Sequence, residues 1–191
     1  WNVPGKNVWE TILIIPMILP PSIVGYLLLK VFGRRGPIGA ILLNTFGVPV
    51  VFTWIACVIA ACVVALPLMY QNAKGAFQSV DPSYELAART LGSSPFKAFR
   101  TVTFPLSGPG IVSGVVLAFA RALGEYGATS MLAGNIPGKT STISQKIAMV
   151  IQDGDYLTAG VWVIIILAIA FGIIVAMNVV AGKNMKNTQR W

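Results

Sequence analysis

Two opposite charges, Arg121 and Glu125, stand four residues apart in an otherwise apolar stretch of the chain. On a helix this spacing places both side chains on one face, where they can form an ion pair. The apolar residues around them favour membrane insertion by about 2.5–5 kcal/mol in total, whereas two central charges cost about 5–7 kcal/mol. We therefore expect the charges to pair, to face the protein interior or to border water. The sequence leaves two roles open for this pair: a structural contact, or a part in a pathway or gate.

Other residue types that carry chemistry are scarce or wrongly spaced. The chain has no histidine, the usual acid–base residue and the commonest metal ligand. Cys57 and Cys62 face different ways on a helix, so their spacing predicts neither a disulfide nor a metal site. Gly134–Thr140 has three residues, not the required four, before its Gly-Lys pair, which excludes a phosphate-binding loop there. Asp153–Asp155 lacks the remaining ligands of a calcium loop, and we therefore expect no metal site and no membrane enzyme.

The composition is that of a membrane protein. Of the 191 residues, 55% are hydrophobic and 10% are charged, whereas soluble domains carry about 25% charged residues. The net charge of +8 fits cytoplasmic loops rich in Lys and Arg. No basic stripe with interleaved aromatic residues is present, so we expect a protein that lies in a lipid bilayer and binds no nucleic acid.

Four apolar segments are long enough to cross a bilayer, which needs about 20 residues of helix. The first, Thr11–Leu29, contains three prolines that remove backbone donors, so we expect this helix to kink or break. The other three are residues 48–70, a segment that starts near Ser107, and Tyr156–Gly182. If the polar segment between the second and third spans is cytoplasmic, more Lys and Arg lie inside than outside, which supports that orientation.

The longest segment that does not suit a bilayer is Ser79–Pro105, between the second and third spans. Asp81 suits the N-cap of a first helix, and Gly92 suits the left-handed residue that ends it. Ser94 followed by Pro95 repeats the start signal for a second helix. We therefore expect two short helices joined at a glycine.

The first of these helices carries a pattern that resembles the EAA loop of ABC importer permeases. The matching residues are Glu85, Leu86, Ala87, Ala88 and Gly92, followed by Leu106 after Pro105. Leu86 stands where the motif has its first alanine, so the match departs from the family there. The resemblance implies a cytoplasmic loop at about residues 74–105 whose helix docks on an ATP-hydrolysing subunit. The small side chains of Ala87 and Ala88 allow another protein surface to approach closely.

Two further regions resemble the molybdate branch of this family. LPPSIVGYLL at residues 19–28 and FGRRG at 32–36 are similar to the proline-rich span of molybdate permeases. FARALGEYGAT at 119–129 and AGNIPGKT at 133–140 are similar to sequences shared by molybdate and sulfate permeases. The resemblance implies an all-α membrane protein, a polytopic transmembrane helix bundle of the ABC importer type that forms a single permease domain over residues 1–191. It also implies that about four spans are present and that at least one N-terminal helix precedes them.

The implied function is ATP-driven uptake of molybdate, with tungstate as a further candidate substrate. Two copies of the subunit form the pathway, an extracytoplasmic binding protein delivers the anion, and two separate subunits bind ATP and Mg²⁺. The chain is then a non-catalytic, multi-pass protein of the cytoplasmic (inner) cell membrane that binds no cofactor itself. Sulfate or thiosulfate uptake is the alternative within the family. An ion-coupled secondary transporter is a more distant alternative, for which Glu125 is the available intramembrane carboxylate.

Weak binding suits the passage of an anion, and small hydroxyl side chains can hold a tetrahedral dianion without trapping it. The candidates by chemistry alone are Ser107, Ser113, Thr129 and Ser130. Hydroxyl groups that only support helix packing are the alternative interpretation.

Overall fold

The computed structural model describes the chain over residues 5–188 and its side chains over residues 5–179. Within that range the chain folds into ten α-helices and one π-helical turn without a β-strand, which confirms the expected all-α class. The helices are α1 (Lys6–Ile18), α2 (Pro21–Phe32), α3 (Pro37–Phe46), α4 (Trp54–Gln78), α5 (Pro82–Thr90), α6 (Pro95–Ala98), α7 (Phe104–Leu123), α8 (Gly127–Ala133), α9 (Ile143–Gln152) and α10 (Tyr156–Thr188). The π-helical turn, Phe99–Thr103, lies between α6 and α7.

Three helical segments in the described part of the chain are long and apolar enough to cross a membrane: Trp54–Gln78, Pro95–Leu123 and Tyr156–Val179. They correspond to the second, third and fourth expected spans. α1 and α2 together make a further broken span or a re-entrant loop. α3 is apolar but has 10 residues, fewer than the roughly 20 that a spanning helix needs.

The first expected span is broken, and its prolines explain where. α1 runs through Pro16 and ends at Ile18. Leu19 has extended backbone angles, Pro21 begins α2, and the two helices are bent by 120°. The helical conformation is unfavourable for a residue that precedes a proline, and neither Pro20 nor Pro21 can donate a backbone hydrogen bond. The paired prolines therefore break the helix, whereas the single Pro16 does not.

The third span begins earlier than the sequence indicated. α6 begins at Pro95, and the helix continues through the π-helical turn into α7. At the end of that turn the Phe104 N–H donates to the Phe99 carbonyl. Pro105 follows directly and has no backbone donor, so the wider turn falls where a regular α-helical hydrogen bond cannot form. The second short helix of the polar segment is thus the start of a span.

The chain divides into two compact units. The first comprises the residues up to Pro67 together with Ala120–Phe171, and the second comprises Leu68–Phe119 together with the residues from Gly172. α4, α7 and α10 each contribute residues to both units. The single domain expected over residues 1–191 stays a prediction.

In the first unit, α2 packs against α8 at very short distance. A Cβ atom on Gly25 would lie 2.7 Å from the Met131 Cβ and 2.8 Å from the Ala128 Cα, so a side chain does not fit there. Small residues let apolar helices approach closely in lipid, which gives no hydrophobic driving force between helices. The buried residues of this core are small or branched: Val24, Val50, Ala56, Ala60, Val64, Ala128, Leu132 and Ala133.

In the second unit, the C-terminal part of α4 packs in the same way against the first half of α7. A Cβ atom on Gly110 would lie 2.5 Å from the Ala76 Cβ, and one on Gly114 would lie 2.8 Å from the Asn72 Cβ. Both glycines therefore allow the two helix backbones to approach each other.

Replacement of Gly25 by alanine is expected to destabilise the protein, because the new Cβ overlaps the backbone of α8. Overpacking of this kind costs about 1–3 kcal/mol, and each kcal/mol lowers the midpoint of thermal unfolding by about 2–4 °C in a chain of this size. The measurement is thermal unfolding of the purified protein in detergent. Gly172→Ala is the control, since nothing lies within 4 Å of a Cβ built on Gly172. An equal loss of stability in the control contradicts the packing argument.

Candidate functional site

In the polar segment between the second and third spans, the two helices begin at the caps that the sequence predicts. Asp81 caps α5, because its Oδ1 accepts a hydrogen bond from the Ser83 N–H at 2.8 Å. This hydrogen bond lowers the pKa of the Asp81 carboxyl, since it stabilises the charged form. Gly92 has φ +86°, a left-handed angle that favours glycine after a helix end. The Ser94 Oγ accepts from the Lys97 N–H at 3.4 Å at the start of α6.

This segment exposes several large apolar side chains. Tyr84, Leu86, Leu91 and Phe96 are between 57% and 87% exposed. Exposed apolar groups that cluster on a short segment are typical of a protein-binding surface. The sequence analysis did not single out Leu91 and Phe96, because an apolar residue outside a periodic pattern carries no signal of its exposure.

The residues of the expected motif lie together on this segment. Glu85 to Ala88 form about one turn of α5, and Gly92 follows the end of that helix. Leu86 and Ala87 are exposed, whereas Glu85 and Ala88 are half-buried. The exposed part of the motif is therefore apolar and consists of Leu86 and Ala87.

Phe99 in the π-helical turn connects the polar segment to two long helices of the second unit. Its ring centroid lies 5.6 Å from that of Phe77 in α4 and 6.3 Å from that of Phe104 in α7. α5 contacts the same π-helical turn. Aromatic pairs at these distances stabilise by about 0.5–1.5 kcal/mol beyond their buried area. The π-helical turn thus lies between the motif helix, which it contacts, and the two long helices on which its Phe99 ring packs.

Arg121 and Glu125 form the expected ion pair. Arg121 Nη1 donates to Glu125 Oε2 at 3.0 Å, and the Glu125 side chain is 2% exposed whereas that of Arg121 is 35% exposed. The two residues do not lie on one helix, contrary to expectation, because α7 ends at Leu123. The Glu125 N–H donates to the Ala122 carbonyl, three residues back, which tightens the chain at the helix end. The pairing was predicted correctly, but its helical geometry was wrong.

The second carboxylate oxygen of Glu125 holds the start of α8. Its Oε1 accepts from the Ala128 N–H at 2.7 Å. The first N–H groups of a helix have no partner within it, and a carboxylate there also interacts favourably with the helix dipole. Glu125 therefore uses both oxygens inside the first unit, an arrangement suited to a structural contact.

Two of the four hydroxyl candidates lie in α7 and bond to the preceding turn. The Ser107 Oγ donates to the Phe104 carbonyl at 2.9 Å, and the Ser113 Oγ donates to the Pro109 carbonyl at 3.1 Å. Such bonds satisfy a hydroxyl group within an apolar helix. Ser107 is buried, whereas Ser113 is exposed and lines an open cleft.

The other two candidates, Thr129 and Ser130, lie in α8, and Ser130 contacts a buried glutamine that the sequence analysis missed. Thr129 is 2% exposed and Gln145 is 1% exposed. The Gln145 Nε2 donates to the Ser130 Oγ at 3.2 Å and to the Gly134 carbonyl at 2.8 Å. The signal for Gln145 was its spacing from Thr142, since the two form a reciprocal capping box at the start of α9.

Gly134–Thr140 forms a turn, as its spacing indicated. The Ile136 carbonyl accepts from the N–H groups of Lys139, Thr140 and Ser141. The Ile136 N–H donates to the Thr140 Oγ1 at 2.9 Å. These N–H groups are used within the turn, whereas a phosphate-binding loop directs them at its anion.

Comparison with known proteins agrees with the sequence resemblance. A protein-family model described as "Binding-protein-dependent transport system inner membrane component" matches residues 1–181. The putative molybdenum transport system permease protein YvgM of Bacillus subtilis is 45% identical over 167 residues, which are 87% of this chain and 74% of that protein. The molybdenum transport system permease protein ModB of Escherichia coli K12 is 48% identical over 149 residues, 78% of this chain and 65% of that protein. The sulfate transport system permease protein CysT of Salmonella typhimurium is 31% identical over 183 residues, 96% of this chain and 66% of that protein.

The fold is also similar to that of a solved structure. A chain of a bacterial ABC transporter involved in the import of the acidic polysaccharide alginate superimposes with a TM-score of 0.69 over 96% of this chain and 68% of that chain. The sequences are 16% identical, so this likeness concerns the fold alone. It confirms the expected helix bundle of the ABC importer type.

The Arg121–Glu125 pair allows a stability prediction. Arg121→Leu alone leaves a buried carboxylate without its cation and is expected to cost about 3–5 kcal/mol. Adding Glu125→Gln removes that charge and keeps an oxygen for the Ala128 N–H, so the double variant is expected to be more stable than the single one. The measurement is the midpoint of thermal unfolding of both variants in detergent. Equal damage in the single and double variants means that the two side chains do not interact.

Proposed function

This chain belongs to the family of binding-protein-dependent transport system inner membrane components, and we propose that it forms the translocation pathway of an ATP-driven molybdate importer. The observation that supports molybdate as the substrate is the 45–48% identity to two molybdenum transport permeases. The sulfate permease is more distant at 31%, so sulfate and thiosulfate rank below molybdate. Tungstate, a tetrahedral dianion like molybdate, is the further proposed substrate.

The proposed assembly contains a second copy of this chain, two ATP-binding subunits and an extracytoplasmic molybdate-binding protein. ATP and Mg²⁺ bind to the ATP-binding subunits, and this chain hydrolyses nothing and binds no cofactor. Dependence on a binding protein, which the family description states, favours this assembly over an ion-coupled secondary transporter. The span Tyr156–Val179 has no charged side chain, and apart from Ala159 none of its side chains is buried, which suits a helix that faces lipid or a second copy.

The motif helix α5 is the proposed contact with the ATP-binding subunit. Leu86 and Ala87 present an apolar surface, and Glu85 and Gly92 lie at either end of it. A capped helix transmits a displacement because it moves as one body, whereas a flexible loop absorbs it. In this chain the displacement passes from α5 to the π-helical turn and through the ring of Phe99 to α4 and α7.

Two variants test this contact. Glu85→Lys and Gly92→Val are expected to lower molybdate uptake at least ~10-fold while the subunit stays inserted, since charge and backbone shape are altered at the docking surface. Uptake is measured in proteoliposomes that contain the ATP-binding subunits, with loaded binding protein outside.

Gly47→Val is the matched control for Gly92→Val. Gly47 also ends a helix with a left-handed angle, φ +66°, and nothing lies within 4 Å of a Cβ built there. If both test variants co-purify with the ATP-binding subunit and transport as the unmodified protein does, α5 is not the contact.

Competition between oxyanions tests the substrate. Uptake of radioactive molybdate is expected to fall with excess tungstate and to remain within twofold of its initial rate with excess sulfate. Uptake of sulfate that neither molybdate nor tungstate reduces overturns the proposed substrate.

A further inference from the structure

An open cleft of about 450 Å³ lies beside the contact between α4 and α7 in the second unit. Four of the side chains that line it are polar: Gln71 and Asn72 in α4, Ser79 just after α4, and Ser113 in α7. None of the described side chains that line it is charged. The cleft is therefore a neutral, hydrogen-bonding site within the second unit.

The position of Ser113 along the candidate span Pro95–Leu123 indicates that the cleft extends to the depth of the hydrocarbon layer. Ser113 lies ten residues before the end of α7 at Leu123, which corresponds to about 15 Å along the helix. The hydrocarbon layer is roughly 30 Å thick. From Trp54 to Met69, moreover, α4 has no amide, hydroxyl or charged side chain, so the polar groups begin where the cleft begins. Polar side chains at such depth are costly and commonly mark a substrate pathway.

The chemistry of the lining suits an oxyanion. A primary amide carries two N–H donors, and Asn72 uses one of them on the Leu68 carbonyl at 2.8 Å. The Gln71 side chain is a second primary amide, and the hydroxyls of Ser79 and Ser113, which donate to the Ala76 and Pro109 carbonyls, can rotate to reach an anion. The volume accommodates a tetrahedral anion with several waters, each of which occupies about 30 Å³. Neutral donors hold such an anion weakly enough for it to leave, whereas lysines or arginines would retain it.

The position of Asn72 is held by close helix packing. Its Cβ lies where a side chain on Gly114 would collide with it, at 2.8 Å, and Ala76 packs in the same way on Gly110 one helical turn away. The backbones of α4 and α7 therefore form a continuous wall beside the amide groups. A wall built from two packed helices positions donors more accurately than a loop does.

We propose that this cleft is a low-affinity binding site for the transported tetrahedral dianion. The amides of Gln71 and Asn72 and the hydroxyl of Ser113 contact the anion as it crosses the membrane. This inference rests on the proposed function. It assigns Gln71 and Asn72 to the pathway, which the sequence analysis did not do, and it keeps Ser113 as a pathway residue. Phe99 packs on the same two helices, and its π-helical turn contacts α5, so the cleft lies on the helices through which a displacement of α5 is proposed to pass.

The test replaces amides by carboxylates of nearly the same shape. Gln71→Glu and Asn72→Asp place a negative charge in the path of a dianion, and each is expected to reduce molybdate uptake at least ~10-fold. ATP hydrolysis stimulated by the loaded binding protein is expected to stay within twofold, because the contact with the ATP-binding subunit is unchanged. Gln78→Glu is the matched control, since Gln78 is an exposed residue of the same helix outside the cleft.

The outcomes separate this inference from the proposed function. If the unmodified importer takes up no molybdate, the proposed function fails. If it takes up molybdate and both charged variants do so at the unmodified rate, the cleft is not on the pathway. If Gln78→Glu reduces uptake as strongly as they do, the effect is one of helix charge and the inference also fails.

A second measurement applies if the charged variants do not assemble. Ser113→Cys, in a protein whose Cys57 and Cys62 are replaced by alanine, is expected to react with a membrane-impermeant thiol reagent. Excess molybdate on the same side is expected to slow that reaction at least ~3-fold, whereas chloride at equal ionic strength leaves it unchanged. Absence of reaction, or of protection by molybdate, overturns the proposal.

Discussion

A bilayer offers no hydrogen-bond partner to a buried polar group, and this constraint accounts for most of the structure. It requires helices wherever the chain crosses lipid, and it requires that polar side chains in these helices have hydrogen-bond partners within the protein. The Glu125 carboxylate pairs with Arg121 through one oxygen and caps α8 through the other. The hydroxyls of Ser107 and Ser113 bond to carbonyls of the preceding turn. These polar groups each find their partner within a few residues along the chain.

Close packing through small residues is the second requirement, because lipid supplies no hydrophobic force between helices. α2 meets α8 at Gly25 in the first unit, and α4 meets α7 at Gly110 and Gly114 in the second. Contacts of this kind leave little freedom for one helix to slide on its neighbour. In the proposed function, a force applied to α5 passes to the π-helical turn that it contacts and, through Phe99, to α4 and α7 as a displacement of whole helices. This is the physical basis for assigning the proposed contact with the ATP-binding subunit to α5.

Local signals predicted those parts of the fold that depend on a few neighbouring residues. The caps at Asp81 and Ser94 and the left-handed Gly92 were read correctly because each acts within one helical turn. The start of the third span was predicted incorrectly, because the continuation of α6 into α7 depends on a π-helical turn that accommodates Pro105. Gln145 was missed although its capping box was visible, because its contacts with Ser130 and Gly134 join residues that are far apart in the sequence.

The amino-acid sequence by itself determined the membrane class, the apolar spans, the motif on α5 and the pairing of Arg121 with Glu125. These follow from composition, segment length and spacing, which act locally. Only the tertiary structure decided that α1 and α2 are bent by 120°, that Glu125 caps a new helix, and that amides of α4 meet Ser113 of α7 at one cleft. Which helices approach each other depends on where small residues coincide across two surfaces, and no single segment of sequence contains that information.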